Sequence, residues 1–184
     1  MKRRFLQNTA LSGLLIIVLC GFGVSKMYVQ AYGESGWIFH IFSQKLPSAT
    51  GGQRPKSISY DYTYVEKNDS VAILCTIRLS GTEKINDFEI NYCDTLSIKN
   101  TLPELVYAQP WKKGIEYRLR LYVPFMMWEQ MYSCPTPFMM SFHVSRPDEE
   151  DLSYQFSYSD EKWKKHRDDI IAIMNIIKLN TKRK

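Results

Sequence analysis

The chain has 184 residues, of which 45% are hydrophobic and 23% charged, a composition that excludes wholesale disorder and suits one ordinary domain. The net charge of +5 belongs to the two ends: residues 1–31 and the last seven residues each hold four cations and no acid, and the stretch between them has a net charge of −3. Because its body lacks a basic stripe, the chain is not expected to bind nucleic acid.

The first 31 residues predict an export signal or a membrane anchor. A basic start at residues 2–4 precedes an apolar stretch over residues 10–24, and such a positive end stays in the cytoplasm while the apolar part enters the bilayer. Three fates stay open: signal-peptide cleavage after Ala31, retention as a short anchor, and lipidation at Cys20. A buried helix of the domain itself is the remaining alternative. We therefore expect an exported protein, either membrane-tethered or free on the periplasmic or extracellular side of the cell envelope.

Residues 32–56 are predicted to be a linker that includes one short strand or helix. Gly36–Phe42 is apolar enough for such an element, and Pro47–Pro55, which contains Gly51 and Gly52, is typical of a flexible spacer.

Residues 57–159 alternate between apolar and polar positions, the pattern of strands that bury one face. The pattern is cleanest after residue 114, where the positions predicted to face the core are Ile115, Tyr117, Leu119, Leu121 and Val123. About seven such strands, joined by polar turns without intervening long helices, predict a mainly β fold. We expect an antiparallel β-sandwich, immunoglobulin-like or similar.

The end of the chain predicts one amphipathic helix over residues 160–179. Ser159 is placed to cap it, and Trp163, Ile170 and Met174 recur at helical spacing. This helix is expected to pack on the β domain, with docking on another protein or on a membrane as alternatives. A basic tail at 180–184 follows it.

Cysteine usage agrees with export but leaves the bonding open. Beyond Cys20 the sequence has Cys75, Cys93 and Cys134, an odd number at wide spacing. One disulfide and one free thiol would suit an oxidising compartment. No Cys/His cluster has metal-ligand spacing, so neither a metal nor a cofactor is expected.

One hairpin and the leader together carry a resemblance. The hairpin that joins Tyr60–Tyr64 to Asn68–Val71, behind a basic and apolar leader, resembles small exported bacterial envelope proteins of unassigned function. The resemblance covers two strands and a leader and implies no activity.

No catalytic motif is present in the sequence, and a hydrolase is the third hypothesis only. Ser141 and His143 fall on the polar face of one predicted strand, where a nearby carboxylate such as Asp61 would complete a triad. A surface histidine on a strand is the more common explanation, so we expect the protein not to be an enzyme.

The segment 124–137 predicts either a helix that plugs the sandwich or a binding surface. Its apolar face would carry Phe125, Trp128, Met131 and Tyr132, and Trp111 is a further exposed-aromatic candidate. The leading hypothesis is a non-enzymatic module that presents this surface to an envelope protein. The alternative is a module that binds a glycan or another small ligand through exposed aromatic side chains.

Overall fold

The computed structural model describes residues 27–50, 55–80, 83–100, 103–112, 114–146 and 149–181. The leader up to residue 26, with the candidate lipidation site Cys20, lies outside these residues, as does the tail at 182–184. The described part contains ten strands and two α-helices: β1 (Tyr28–Gly33), β2 (Gly36–Pro47), β3 (Ser57–Val65), β4 (Ser70–Ser80), β5 (Lys84–Tyr92), β6 (Leu96–Asn100), β7 (Glu104–Trp111), β8 (Gly114–Pro124), α1 (Phe125–Ser133), β9 (Met139–Arg146), β10 (Glu149–Ser157) and α2 (Asp160–Asn180).

The larger sheet, sheet A, has six antiparallel strands in the order β1-β2-β3-β4-β8-β7. β4 and β8 pair along their whole length, from Ser70 opposite Pro124 to Ser80 opposite Gly114. The alternation expected for β8 is confirmed, because Leu119, Leu121 and Val123 are buried in the core. Period-two patterning therefore sets which face of sheet A points inward.

The smaller sheet, sheet B, has four antiparallel strands in the order β10-β9-β5-β6. Three alternate residues of β9 are fully buried: Met140, Phe142 and Val144. The Phe142 ring stacks on Phe88 of β5, with 4.6 Å between the ring centroids. Sheet B thus contributes one apolar face to the same core as sheet A.

The core has two neighbouring parts on the inner face of sheet A. Under β4, sheet A meets sheet B, where the sulfur of Cys75 lies 3.8 Å from the sulfur of Met140. Under β3, tyrosine rings contact the helices: Tyr62 meets Trp128 of α1 at 5.2 Å, and Tyr60 meets His166 of α2 at 6.2 Å between centroids. The helices therefore cover the part of sheet A next to its contact with sheet B.

The sheet starts earlier in the chain than the sequence predicts. β1 and β2 form a hairpin in which Ala31 pairs with Ile38, and β2 continues by pairing with β3. Most of the linker expected over residues 32–56 is therefore strand. Sheet A therefore begins at β1 rather than at Ser57, and the described strands number ten instead of about seven.

The C-terminal helix forms as expected and packs on the domain. α2 buries Trp163, Ile170, Met174 and Ile177, and Ser159 occupies its N-cap position. The structure gives the Ser159 side chain no capping hydrogen bond, so its hydroxyl does not cap the helix. Neither α2 nor any other helix in the described ranges is both long and apolar enough to cross a bilayer.

A disulfide joins two distant parts of the fold. Cys93, just after β5, is bonded to Cys134, which ends α1, with 5.3 Å between their Cα atoms. The remaining cysteine of the described residues, Cys75, is a free and buried thiol, and burial raises its pKa. The disulfide thereby ties α1 to sheet B.

Candidate functional site

The aromatic face of α1 belongs to the core and is not a surface. Phe125, Trp128, Met131 and Tyr132, the side chains expected to meet a partner or ligand, are all buried in the core. In this fold another molecule cannot contact them, so the binding surface expected at α1 is corrected to a helix that plugs the core. The cause is that the rings of Tyr62 and Tyr64 on β3 pack against the aromatic rings of α1.

Four tyrosines and one histidine form a hydrogen-bonded network behind this plug. The hydroxyls of Tyr60 and Tyr132 lie 2.8 and 3.1 Å from Nε2 of His166. Tyr158 extends the network through Tyr60 at 2.8 Å, and Tyr62 extends it through Tyr132 at 2.7 Å between hydroxyl oxygens. The network links β3, α1 and α2.

Burial keeps every member of this network neutral near pH 7. It raises the pKa of the Tyr158 hydroxyl to about 12, and those of Tyr60 and Tyr132 well above their usual value. It lowers the pKa of His166 to about 4, because a charged imidazolium loses its hydration there. A neutral, enclosed network of this kind stabilises the packing of helices on a sheet.

The outer face of sheet A carries an exposed tryptophan at the tip of the β7–β8 hairpin. Trp111 of β7 lies opposite Gly114 of β8, which lies opposite Ser80 of β4. A Cβ atom on Gly114 would come within 2.0 Å of the carbonyl oxygen of Leu79, so only glycine fits this close approach of the two strands. Gly114 also lines the cleft that opens beside Trp111.

The Trp111 ring is held by cations. The guanidinium carbon of Arg78 lies 4.2 Å from the ring centroid, within the range of a cation–π interaction. The ammonium of Lys112 lies 5.8 Å from it, because Lys112, in a left-handed turn conformation with φ of 50°, directly follows the strand. Trp111 nevertheless remains 40% exposed.

A buried carboxylate fixes Arg78 in this position. Nε of Arg78 donates to Oε2 of Glu116 at 2.6 Å, while Gln109 and Tyr107 donate to Oε1 at 2.9 and 3.1 Å. Burial acts to raise the pKa of the Glu116 carboxyl, but these three hydrogen bonds outweigh it and hold that pKa below its usual value. The carboxylate is therefore ionised at neutral pH and orients the guanidinium against Trp111.

A cleft opens beside this tryptophan. Its volume is about 590 Å³, and its walls include Lys56, Arg78, Ser80, Trp111 and Lys112. Ligand pockets commonly enclose about 300 to 1,000 Å³. The cleft, which we call the Trp111 cleft, combines one exposed aromatic ring with three cationic side chains.

The strand that ends at Trp111 is also an exposed edge. All eight residues of β7 are exposed, and Leu105 is 54% exposed, with Val106 and Tyr107 beside it. An edge strand offers unpaired backbone groups to which another strand can add. β7 is therefore a second candidate surface, to which another β-strand could add.

The expected triad of the hydrolase hypothesis does not assemble. Nδ1 of His143 is hydrogen-bonded to Asp87 of β5, whereas Asp61 lies on sheet A and accepts from Arg118 at 2.6 Å. Ser141 is only 3% exposed, and in the part of the chain that the structure describes no hydrogen bond joins it to His143. A covered hydroxyl is not placed to attack a substrate.

The described residues also contain no group of three or more His, Cys, Asp or Glu side chains placed to hold a metal ion. No family model, curated protein or solved structure matches this chain. The function proposed below therefore rests on the residues themselves.

Proposed function

We propose that this chain is an exported, non-enzymatic module that binds a saccharide in the Trp111 cleft. The observation that carries the proposal is the exposed Trp111 ring, fixed by Arg78 at 4.2 Å and open to a cleft of about 590 Å³. Aromatic rings bind the flat C–H face of sugars, and a ring already held in place loses little freedom on binding. The burial of the α1 side chains removes the competing surface and favours this function over the protein-binding one.

Two features support export and a place at the cell envelope. The leader has the basic and apolar order of an export segment, and the bond between Cys93 and Cys134 suits an oxidising compartment. Ala31 lies inside β1, so cleavage after it would separate most of that strand from the domain. This favours retention as an anchor or lipidation at Cys20 over cleavage after Ala31.

For the fold we propose the layering of a β-sandwich, with sheet B and the helices covering one face of sheet A. The contact between Cys75 and Met140 supports this layering. The order of six and four strands differs from the seven strands of the simplest immunoglobulin-like arrangement. We therefore propose two layers, as in a β-sandwich, but not the strand connectivity of an immunoglobulin-like domain.

Binding to a panel of soluble oligosaccharides tests the function. The purified full-length chain is compared with Trp111→Ala by titration calorimetry, and Tyr122→Ala serves as the matched control. Tyr122 is an exposed aromatic residue on the outer face of β8 that does not line the Trp111 cleft. We expect Trp111→Ala to weaken binding by about tenfold or more and Tyr122→Ala to leave it unchanged. Binding that survives Trp111→Ala, or no binding by the native chain, contradicts the proposal.

A protein partner at β7 is the second candidate function. The exposed apolar side chains of this edge strand support it, because an extended peptide adds to such an edge through main-chain hydrogen bonds. A photo-crosslinking residue at Val106 should then give one discrete protein adduct in cells, whereas the same residue at Val29, on the opposite edge strand β1, should not. Equal labelling from both edges contradicts specific pairing at β7.

A further inference from the structure

Three cationic residues line the Trp111 cleft, although the body of the chain has a net negative charge. The chain between the two basic ends has a net charge of −3, yet Lys56, Arg78 and Lys112 all reach this one cleft. They come from the segment before β3, from β4 and from the β7–β8 turn. Their convergence is therefore produced by the fold and does not follow from a basic composition.

The nearby acid does not cancel this charge. Glu116 is covered and already accepts hydrogen bonds from Arg78, Gln109 and Tyr107. The three cationic side chains and the one Glu116 carboxylate together have a net charge of +2. The bond to Glu116 uses Nε of Arg78, and the Arg78 side chain keeps 51% of its surface exposed.

Resting on the proposed function, we infer that the saccharide is acidic, carrying a carboxylate, phosphate or sulfate group. A sugar ring would contact the exposed part of Trp111, while its anionic group would accept from Arg78 and be attracted to Lys56 and Lys112. Hydrogen bonds between a guanidinium and an anion are stronger than neutral ones, so the charge contributes affinity as well as selectivity. A neutral sugar would gain no charged contact from Lys56 or Lys112.

The test compares a linear oligogalacturonate with a neutral galactose oligomer of equal length, and adds a polyol phosphate to separate carboxylate from phosphate. Titrations use the full-length chain in low and high salt. We expect the acidic oligomers to bind at least about tenfold more tightly than the neutral one, with an affinity that falls as salt rises. Preference for one of the two acidic probes identifies the anionic group.

Charge-neutralising variants test whether the preference for acidic oligomers arises at the Trp111 cleft. The double variant Lys56→Gln/Lys112→Gln should lose about tenfold in affinity for the acidic oligomer and none for the neutral one. Lys99→Gln is the matched control, because Lys99 is an exposed lysine on β6 of the other sheet. Thermal unfolding of each variant checks that the fold is retained.

The outcomes separate the two proposals. Equal binding of neutral and acidic oligomers, still lost in Trp111→Ala, overturns the acidic ligand and leaves the saccharide-binding function standing. An equal loss in Lys99→Gln overturns the acidic ligand at this cleft, because it shows unspecific attraction. Absence of binding to every oligomer overturns both.

Discussion

Acidification should weaken the fold in part through the buried residue His166. Burial lowers its pKa to about 4 in the folded chain, against an ordinary value of 6.5. Between these two values the unfolded chain binds a proton that the folded chain excludes. The stabilisation is therefore complete above about pH 6.5 and is lost as pH falls toward 4. A difference of about 2.5 pKa units corresponds to about 3 kcal/mol of unfolding free energy.

Urea denaturation at a series of pH values measures this effect. Carboxylates also lose their ionic partners in acid, so the informative quantity is the difference between the native chain and His166→Gln. This variant keeps a polar group beside Tyr60 and Tyr132 but cannot titrate. The native chain should lose about 3 kcal/mol more than the variant between pH 7 and pH 4. Parallel stability curves for the two proteins would refute the assignment of a buried neutral imidazole.

Three further predictions concern the scaffold. Trp128→Ala should lower the unfolding free energy by about 3 to 5 kcal/mol in urea denaturation, because it empties a fully buried position; a loss below about 1 kcal/mol would contradict the plug assigned to α1. Cys93→Ser should cost about 2 to 4 kcal/mol by opening the bond to Cys134, and a reductant should then have no further effect on the variant, unlike on the native chain. Removing residues 1–31 should lower the melting temperature below that after removing 1–26, because only the former cuts β1; equal melting temperatures would show that β1 adds nothing.

The strands most visible in the sequence are those with one apolar and one polar face. β8 alternates Leu119, Leu121 and Val123 with Arg118 and Arg120, and the structure buries the first set and leaves the second on the outer face. β3 and β9 follow the same rule. Period-two patterning was sufficient wherever water covers the other face of the sheet.

Alternation did not predict β2, because both faces of this strand are apolar at its start. Phe39 and Ile41 are buried, but Ile38 and Phe42 on the other face are apolar as well, so hydrophobicity does not alternate there. The neighbouring strand β1 directly follows a leader whose own apolar run dominates that part of the sequence. Pairing with β3, a contact between distant segments, decides the conformation of this region.

The function of α1 could not be decided from its composition. A helix with Phe125, Trp128, Met131 and Tyr132 on one side suits a core as well as it suits an interface, since both bury apolar area in the same way. What settles the question is the row of tyrosines on β3 that receives these rings. Sequence alone does not show that β3 and α1 face each other.

The Trp111 cleft was still harder to anticipate, because its walls come from segments that meet only through strand order. Alternation indicates that Arg78 of β4 points outward, but it does not place β8 between β4 and β7. The local signal was Gly114, which follows an aromatic residue at a hairpin turn and forms no side-chain contacts of its own. Because any Cβ there would strike Leu79, this glycine permits the close approach of β8 to β4 at the point where both strands line the Trp111 cleft. The Trp111 cleft thus borders the one position of the hairpin where the sequence supplies no side chain.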